Sequence, residues 1–570
     1  MSLLTQDTFT DTAGVLLENH TGETGATWTK NAAFSTGSAK ITAAGRLRGD
    51  ANNTVYYASA VPPSADYDVE ADLFVASNLS LVGLLGRQDP AAFTYYLFDV
   101  QNAGGLTLFT VVNGATLNQT NVAFTPTVGQ TYHFRLSMRG GRITCYVDGT
   151  AMISLTDANI AAAGRAGVFF GAQTTDATGY HFDNFFASVP QTAAVTDANL
   201  FFSPYNWHSD GTGAMQGNNI QAGSTAAQTT NPGAYLKFGL TAVANGVATL
   251  LLDTSPLNGI TAANCPTLAV SLDGQAFTAP LLAYATGTTR LTISNNLPAG
   301  SHTVEIYFRS VTLSSSTAMG DRWTAPAGVV KVTGLELDGK GSATAAPTLR
   351  GKRVLVFGDS ITEGADAVGS ANANADQDAT QTYAQLVARA LDAEVGVVGY
   401  SAQGWTAGGY GNVPRFFDPV TPANSAFDHY SAGVSRLIGG AFAPAPDRIL
   451  VLHGKNDAAA TDANVTAAVA GWITAARADA PATQIAVVVP FDGTKRSAVA
   501  AGVAQANDSR TTLIDLGAAP APTLAGGGLN TNDAIHPNVR GHATFAALLL
   551  RQIGLAGSTS VTLSQGSFAT

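Results

Sequence analysis

The sequence predicts a multidomain protein in which two all-β sandwiches precede an α/β domain. Three observations predict it. The chain has 570 residues, too long for one hydrophobic core at roughly 100–200 residues per domain. Only 12% of residues are charged and 60 are glycine, a mixture that suits turn-rich β-sandwiches and excludes coiled coils and helical repeats. Finally, the apolar pattern changes along the chain, from period-two alternation before residue 348 to alternating strand-like and helical runs after residue 350.

Residues 1–190 read as all-β. In Tyr132–Met138, residues Tyr132, Phe134, Leu136 and Met138 share one face. Gly140-Gly141 then turns the chain into a returning strand at Arg142–Val147, the pattern of a hairpin. Asp148-Gly149 turns it again before Ala151–Leu155. Further strands are expected at Tyr67–Phe74, Leu81–Gly86, Thr94–Val100, Ala166–Phe170 and Tyr180–Phe186. Two packed sheets bury such strands most simply.

Residues 196–348 read as a second β-sandwich, with strands at Ala234–Leu240, Gly246–Leu252, Thr267–Leu272 and Thr303–Phe308. Gly341–Pro347 has the composition of a short linker. In residues 350–555, strands at Arg353–Phe357, Val395–Val398, Arg448–Leu452, Ile485–Val489 and Thr512–Leu516 alternate with helical runs at Thr382–Leu391, Asp462–Ala478 and Lys495–Ala506. That alternation predicts a parallel sheet with helices on both faces, and a site beyond the C-terminal ends of its strands. Residues 556–570 form a small, polar tail.

Charge and cysteine usage exclude several functions. The net charge is −11, and no basic cluster exceeds the Lys352-Arg353 pair, which argues against nucleic acid as a partner. No apolar run approaches a membrane span. The first residues lack a signal-peptide pattern, so the chain either is not exported by that route or had its leader removed. Cys145 and Cys265, the two cysteines, fall in different expected domains and read as buried free thiols. Their number excludes a cysteine zinc site or disulfide scaffold.

The chemistry concentrates in the third segment. The strand at Val354–Phe357 runs into Gly358-Asp359-Ser360, where a serine beyond a strand end can be presented as a nucleophile. A polar turn with Ser360 capping a helix explains the same residues. Asp533 and His536 stand three apart, close enough for a carboxylate to orient an imidazole; a solvated loop histidine is the alternative. His542 falls in the following helix and reads as structural. Asn456, after the strand ending at Leu452, and the glycine-rich turn Gly399–Gly404 can supply oxyanion donors, or be ordinary turns.

Together and in this order, these four blocks resemble the SGNH (GDSL-type) hydrolase superfamily. The resemblance implies that Ser360 is the nucleophile, Asp533 and His536 the acid and base, and Ser360, Gly404 and Asn456 the oxyanion-hole donors. It also implies a three-layer α/β/α sandwich around a five-stranded parallel sheet. The four blocks supply a nucleophile, a base and amide donors, and no His/Asp/Glu cluster elsewhere has metal-ligand spacing, so no cofactor and no metal are expected. Lys455 departs from the pattern, which more often has a small or hydroxyl residue there, and is expected to place a positive charge near the cleft. Asp7-Thr-Phe-Thr-Asp11, His20-Thr-Gly22, Trp28 and Phe182–Phe185 are similar to a concanavalin/laminin-G-like jelly roll, a module that binds sugars in some proteins and acts as a spacer in others. Leu297–Ile306 and Val332–Gly339 resemble the small jelly roll ahead of the catalytic domain in some carbohydrate esterases.

Two loops are candidate recognition walls: the polar stretch Ala365–Gln381, and Trp405–Gly433 with Trp405, Tyr410, Phe416, Phe417 and Tyr430. Those aromatics suit sugar stacking or a mini-core of the loop itself, and Asp359 is a further candidate at the site. With no long apolar lid, the expected activity is hydrolysis of a short acyl ester, most simply O-acetyl on a polysaccharide outside the cell or on a virion. A general short-chain esterase, an acyltransferase using the same triad, or a phage-tail-like glycan-binding protein with accessory deacetylation are the alternatives. The glycan, the linkage and the oligomeric state are not legible in the sequence.

Overall fold

The structure is a computed structural model that describes residues 3–553, apart from 25–26, 78–79, 102–103, 217, 258, 278–288, 312–319, 347–348, 422–424, 517–530 and 534. The tail at 556–570 lies outside the described residues. Three bodies follow one another: two antiparallel β-sandwiches and an α/β/α layer structure.

In the first sandwich an eight-stranded sheet faces a seven-stranded one. Thr131–Arg139 and Arg142–Val147 pair as a hairpin, with Phe134, Leu136 and Met138 buried in the core between the sheets and Tyr132 packed at its edge. The residues of the opening pattern meet in a buried network. Asp7 accepts from Trp28 Nε1 at 2.6 Å and lies 3.0 Å from His20 Nε2, while Trp28 sits edge-on against Phe185 at 4.9 Å. The pattern pins the two chain ends of this sandwich together. Cys145 and Cys265 are both free and buried, one in each sandwich core.

The second sandwich has a six-stranded and a five-stranded sheet. Two of its strands lie in stretches read as connections. Gln191–Ala194 pairs with Val330–Leu337, and Ser342–Thr344, inside the expected linker, pairs with Tyr235–Ala242. Composition suggests a linker at 341–347 because small residues dominate there. Small residues also fit a short edge strand whose backbone hydrogen bonds are supplied by a neighbour.

The third body is built on β1 (Lys352–Gly358), β2 (Ala393–Gly399), β3 (Arg448–Leu452), β4 (Gln484–Val488) and β5 (Thr511–Ile514), all parallel, in the order β2-β1-β3-β4-β5. Alternate residues of β1 face opposite layers, as a doubly covered strand requires. Val354 and Val356 pack on α2 (Tyr383–Ala390) and α5 (Val539–Gln552). Leu355 and Phe357 pack on the side of α3 (Asp462–Asp479) and α4 (Arg496–Ala506). The strand order reverses between β1 and β3, which opens a crevice at their C-terminal ends.

The second sandwich completes this body. β2 is an edge strand, and its outer hydrogen-bonding groups are taken by side chains from the sandwich. Asn206 accepts from Val397 N at 3.0 Å and donates to Val397 O at 2.6 Å, and the Tyr235 hydroxyl accepts from Val395 N at 3.0 Å. A Cβ at Gly396 would collide with Pro204 O, so glycine is required where the sandwich backbone approaches. Lys237 pairs with Glu394 at 3.0 Å, both buried. Tyr205 and Trp323 join one layer's core, and Phe201, Tyr235 and Tyr307 the other's.

Candidate active site

β1 ends at Gly358, where any Cβ would overlap the Thr362 side chain. The chain therefore turns sharply into α1 (Ser360–Glu363), a single turn capped by Asp359, whose Oδ1 accepts from Ile361 N at 3.0 Å. Asp359, not Ser360, is the cap. Ser360 is the first residue of the turn, where its N–H has no intrahelical acceptor. Gly364 ends the turn with φ +88°, a conformation that favours glycine.

His536 comes from the loop before α5. Asp533 organises that loop by accepting from His536 N at 2.7 Å and Ile535 N at 2.9 Å. Its other oxygen lies 2.6 Å from His536 Nδ1, and His536 Nε2 lies 2.9 Å from Ser360 Oγ. With Nδ1 against a carboxylate, the ring proton sits on Nδ1, and Nε2 is left to accept from the serine hydroxyl. Burial pushes the Asp533 carboxyl up, but the two backbone N–H donors and the imidazole outweigh it and hold the group below the usual carboxylate range. Asp533 is thus ionised beside the histidine.

Asn456 lies in a short turn after β3 and donates to Gln403 O at 2.9 Å and Asp359 Oδ2 at 3.1 Å. Gly404 N donates to Ala407 O at 3.0 Å. Both of these candidate donors therefore have protein acceptors in this conformation. Gly404 has no room for a side chain, because a Cβ would run into the Asp457 carboxylate. Asp359 is 1% exposed, and burial lifts its carboxyl to about 7. It bridges the helix cap and Asn456 and is closed to solvent, so it does not line a cleft. Lys455 pairs with Asp492 across the next loop, so its charge is neutralised there.

The aromatic residues of the long loop divide. Trp405, Phe416 and Phe417 are buried with Phe427, Phe442 and Trp472 in the core on the α3 side. Their rings face one another, with Trp405 and Phe416 at 5.4 Å, so they are closed to a sugar ring. Only Tyr410 among the five is well exposed, at 43%. Tyr430 stands at the junction with the second sandwich, with Arg436 over its ring at 4.3 Å and His208 beside it. His542 is fully buried in α5, stacked on Tyr383.

Several neighbours of the candidate site were not legible in the sequence. Asp457 accepts from Trp405 N, Thr406 N and Ala407 N at 2.8–3.2 Å and from the Thr406 hydroxyl at 2.7 Å, fixing the glycine loop. Glu363, on the turn that carries Ser360, accepts from Ser401 N and Oγ at 2.9 and 2.8 Å and from Arg322 of the second sandwich at 2.6 Å. Asp366 is fully buried, with Oδ2 3.8 Å from His536 Nδ1. Its adjacency to the site depends on how the stretch after Gly364 folds back, which no local pattern announces.

Comparison with known proteins gives the following. The GDSL-like lipase/acylhydrolase family matches residues 356–544. No curated protein matches the chain. Among solved structures, a family two carbohydrate esterase from Cellvibrio japonicus is similar at 19% identity, covering 64% of this chain and 98% of that one, with a TM-score of 0.48. A family two carbohydrate esterase from Clostridium thermocellum, in complex with cellohexaose, is similar at 18% identity over 62% and 98%, with a TM-score of 0.46. An acetyl xylan esterase from the rumen bacterium Butyrivibrio proteoclasticus is similar at 15% identity over 64% and 99%, with a TM-score of 0.46.

Proposed function

With residues 356–544 forming a GDSL-like lipase/acylhydrolase domain, we propose that the protein is a serine esterase that removes short acyl groups, O-acetyl above all, from a polysaccharide. The observation that carries this is the chain of contacts from Asp533 through His536 to Ser360, at 2.6 and 2.9 Å. Those are the distances a nucleophile–base–orienter relay needs.

In the proposed reaction the Ser360 hydroxyl gives its proton to His536 Nε2 as Oγ attacks the acyl carbonyl. The imidazolium is stabilised by ionised Asp533. The carbonyl oxygen becomes an oxyanion that takes the Ser360 N–H, with Gly404 N–H and an Asn456 N–H turning from Ala407 O and from Asp359 or Gln403 O towards it. Collapse breaks the ester C–O bond, and the imidazolium protonates the leaving sugar oxygen. Water, deprotonated by His536, then attacks the acyl-serine and releases the carboxylic acid.

A polymeric target outside the cell is supported by the build of the molecule, in which two sandwiches precede the hydrolase. A small acyl group is supported by the burial of Trp405, Phe416 and Phe417, which leaves those aromatics out of any acyl channel. No helix among the described residues is long and apolar enough to cross a membrane. The test is release of acetate from acetylated xylan, pectin, peptidoglycan and capsular polysaccharides by the wild type and by Ser360→Ala. Release by the wild type alone is expected. Equal release by both, or none from any acetyl ester, would overturn the proposal.

A further inference from the structure

The buried carboxylate of Asp366 has a role to fill that the proposed reaction leaves open. Its Oδ1 accepts from Asn372 N at 3.0 Å, whereas Oδ2 has no hydrogen-bond partner among the described residues. A buried carboxylate oxygen without a donor is costly unless something positive reaches it. Oδ2 is directed at His536 Nδ1, 3.8 Å away, where Asp533 Oδ2 also points. One ligand atom from each of Asp366, Asp533 and His536 falls within 4.8 Å of the others. His536 and Asp533 are partly exposed, with side chains at 13% and 16%, so two of the three ligating residues meet solvent.

We propose that Asp366, Asp533 and His536 form an inhibitory site for a borderline divalent cation such as Zn²⁺, which switches the hydrolase off by reversing the histidine tautomer. The inhibitory consequence rests on the function proposed above; the binding site does not. One imidazole nitrogen and two carboxylate oxygens form a donor set that suits Zn²⁺, whereas Mg²⁺ and Ca²⁺ prefer oxygen alone. Two carboxylates balance the two charges of the ion.

The step conserves protons on the ring. A bond forms between the cation and the Nδ1 lone pair, the Nδ1–H bond is lost, and the proton moves through solvent to Nε2. Nε2–H then donates towards Ser360 Oγ and can no longer accept from it, so the serine keeps its proton and loses its nucleophilicity. Asp533 is drawn from orienting the ring to ligating the ion. The sequence carries no sign of this, since residues 366 and 533 are far apart and neither stands at metal-ligand spacing from another histidine or cysteine.

The test titrates the full-length protein with Zn²⁺ alone, reading both p-nitrophenyl acetate turnover and calorimetric binding. One ion is expected per chain, with turnover falling in step with occupancy, restored by EDTA, and Mg²⁺ without effect. Ser360→Ala should bind Zn²⁺ as the wild type does, which separates the site from the catalytic proposal. Asp366→Asn should hydrolyse the ester without Zn²⁺ yet need roughly tenfold or more Zn²⁺ for half-inhibition, the loss typical of one metal-site partner. Should Asp366→Asn not fold, Asp366→Gly replaces it, because φ at this position is +48° and suits glycine. Absence of Zn²⁺ binding to the wild type and Ser360→Ala, or unchanged Zn²⁺ sensitivity in both Asp366 variants, would overturn the site. Zn²⁺ binding by a protein without esterase activity would overturn the proposed function and leave the site standing.

Discussion

Arg322 of the second sandwich donates to Glu363, three residues after Ser360, at 2.6 Å, with the arginine side chain 2% exposed and the glutamate side chain 1%. Glu363 in turn holds Ser401 at the end of the glycine loop. A residue from outside the matched segment 356–544 thus braces the turn that carries Ser360. Removing one member of such a buried pair leaves the other uncompensated, a loss of about 3–5 kcal/mol. Arg322→Met should therefore lower thermal stability by several degrees or more and depress kcat, while Arg322→Met combined with Glu363→Leu recovers part of the stability. A single variant as stable and active as the wild type would remove this brace from the account.

The first sandwich should behave differently. Its contacts to the second include the buried pair Glu70–Lys340 and the pair Arg139–Glu336, and none of these residues touches the hydrolase site. A chain starting just before Gln191, so as to keep the strand Gln191–Ala194, should keep kcat/KM on p-nitrophenyl acetate and lose activity on the polymer through lost local concentration. A folded, monodisperse truncation with a collapsed small-ester rate would mean that the first sandwich shapes the site.

For the proposed triad, Ser360→Ala and His536→Ala should each lower turnover by about three orders of magnitude or more with an unchanged melting temperature. Asp533→Ala should lose less, because the imidazole persists. Stopped assays on p-nitrophenyl acetate with parallel thermal melts check this. Retention of more than about a tenth of the activity in Ser360→Ala would contradict the assignment of the nucleophile.

Asp359 makes stability depend on pH. Burial raises its carboxyl from 3.8 to about 7, so the folded protein binds a proton more tightly than the unfolded chain. Its contribution is fully present below about 4 and is lost as pH rises through about 7. Asp359→Asn cannot ionise and escapes this loss. The melting temperature of the variant minus that of the wild type should therefore increase between pH 4 and pH 8, as scanning calorimetry would show. A difference that stays constant across that range would mean that Asp359 is ionised in the fold.

Asp457 should matter through its backbone donors. Asp457→Ala leaves the N–H groups of Trp405, Thr406 and Ala407 without this acceptor, at about 1–3 kcal/mol for each buried group. Both stability and kcat/KM should fall, and Asp457→Asn, which keeps one acceptor oxygen, should fall less. Equal melting temperatures for the three proteins would refute this role.

Some of this protein was determined by the sequence alone. Period-two alternation at Tyr132–Met138 and the β/α alternation after residue 350 are local consequences of which face of an element is buried, so the sheets and helices could be read from them. The strand end at Gly358 and the Asp533/His536 pair are likewise local, because a turn needs glycine and a carboxylate three residues from an imidazole can reach it. Contacts between distant segments were decided only by the tertiary structure. Trp405, Phe416 and Phe417 look the same in sequence whether they line a cleft or fill a core, and packing settled it, of Trp405 and Phe416 against Trp472 and of Phe417 against Phe427. Ser342–Thr344 became a strand because Tyr235–Ala242 offered it a partner. Arg322 meets Glu363, and Asp366 meets His536, across 41 and 170 residues of chain. Charge pairing and desolvation depend on distance in space, and only the completed packing of the bodies sets that distance.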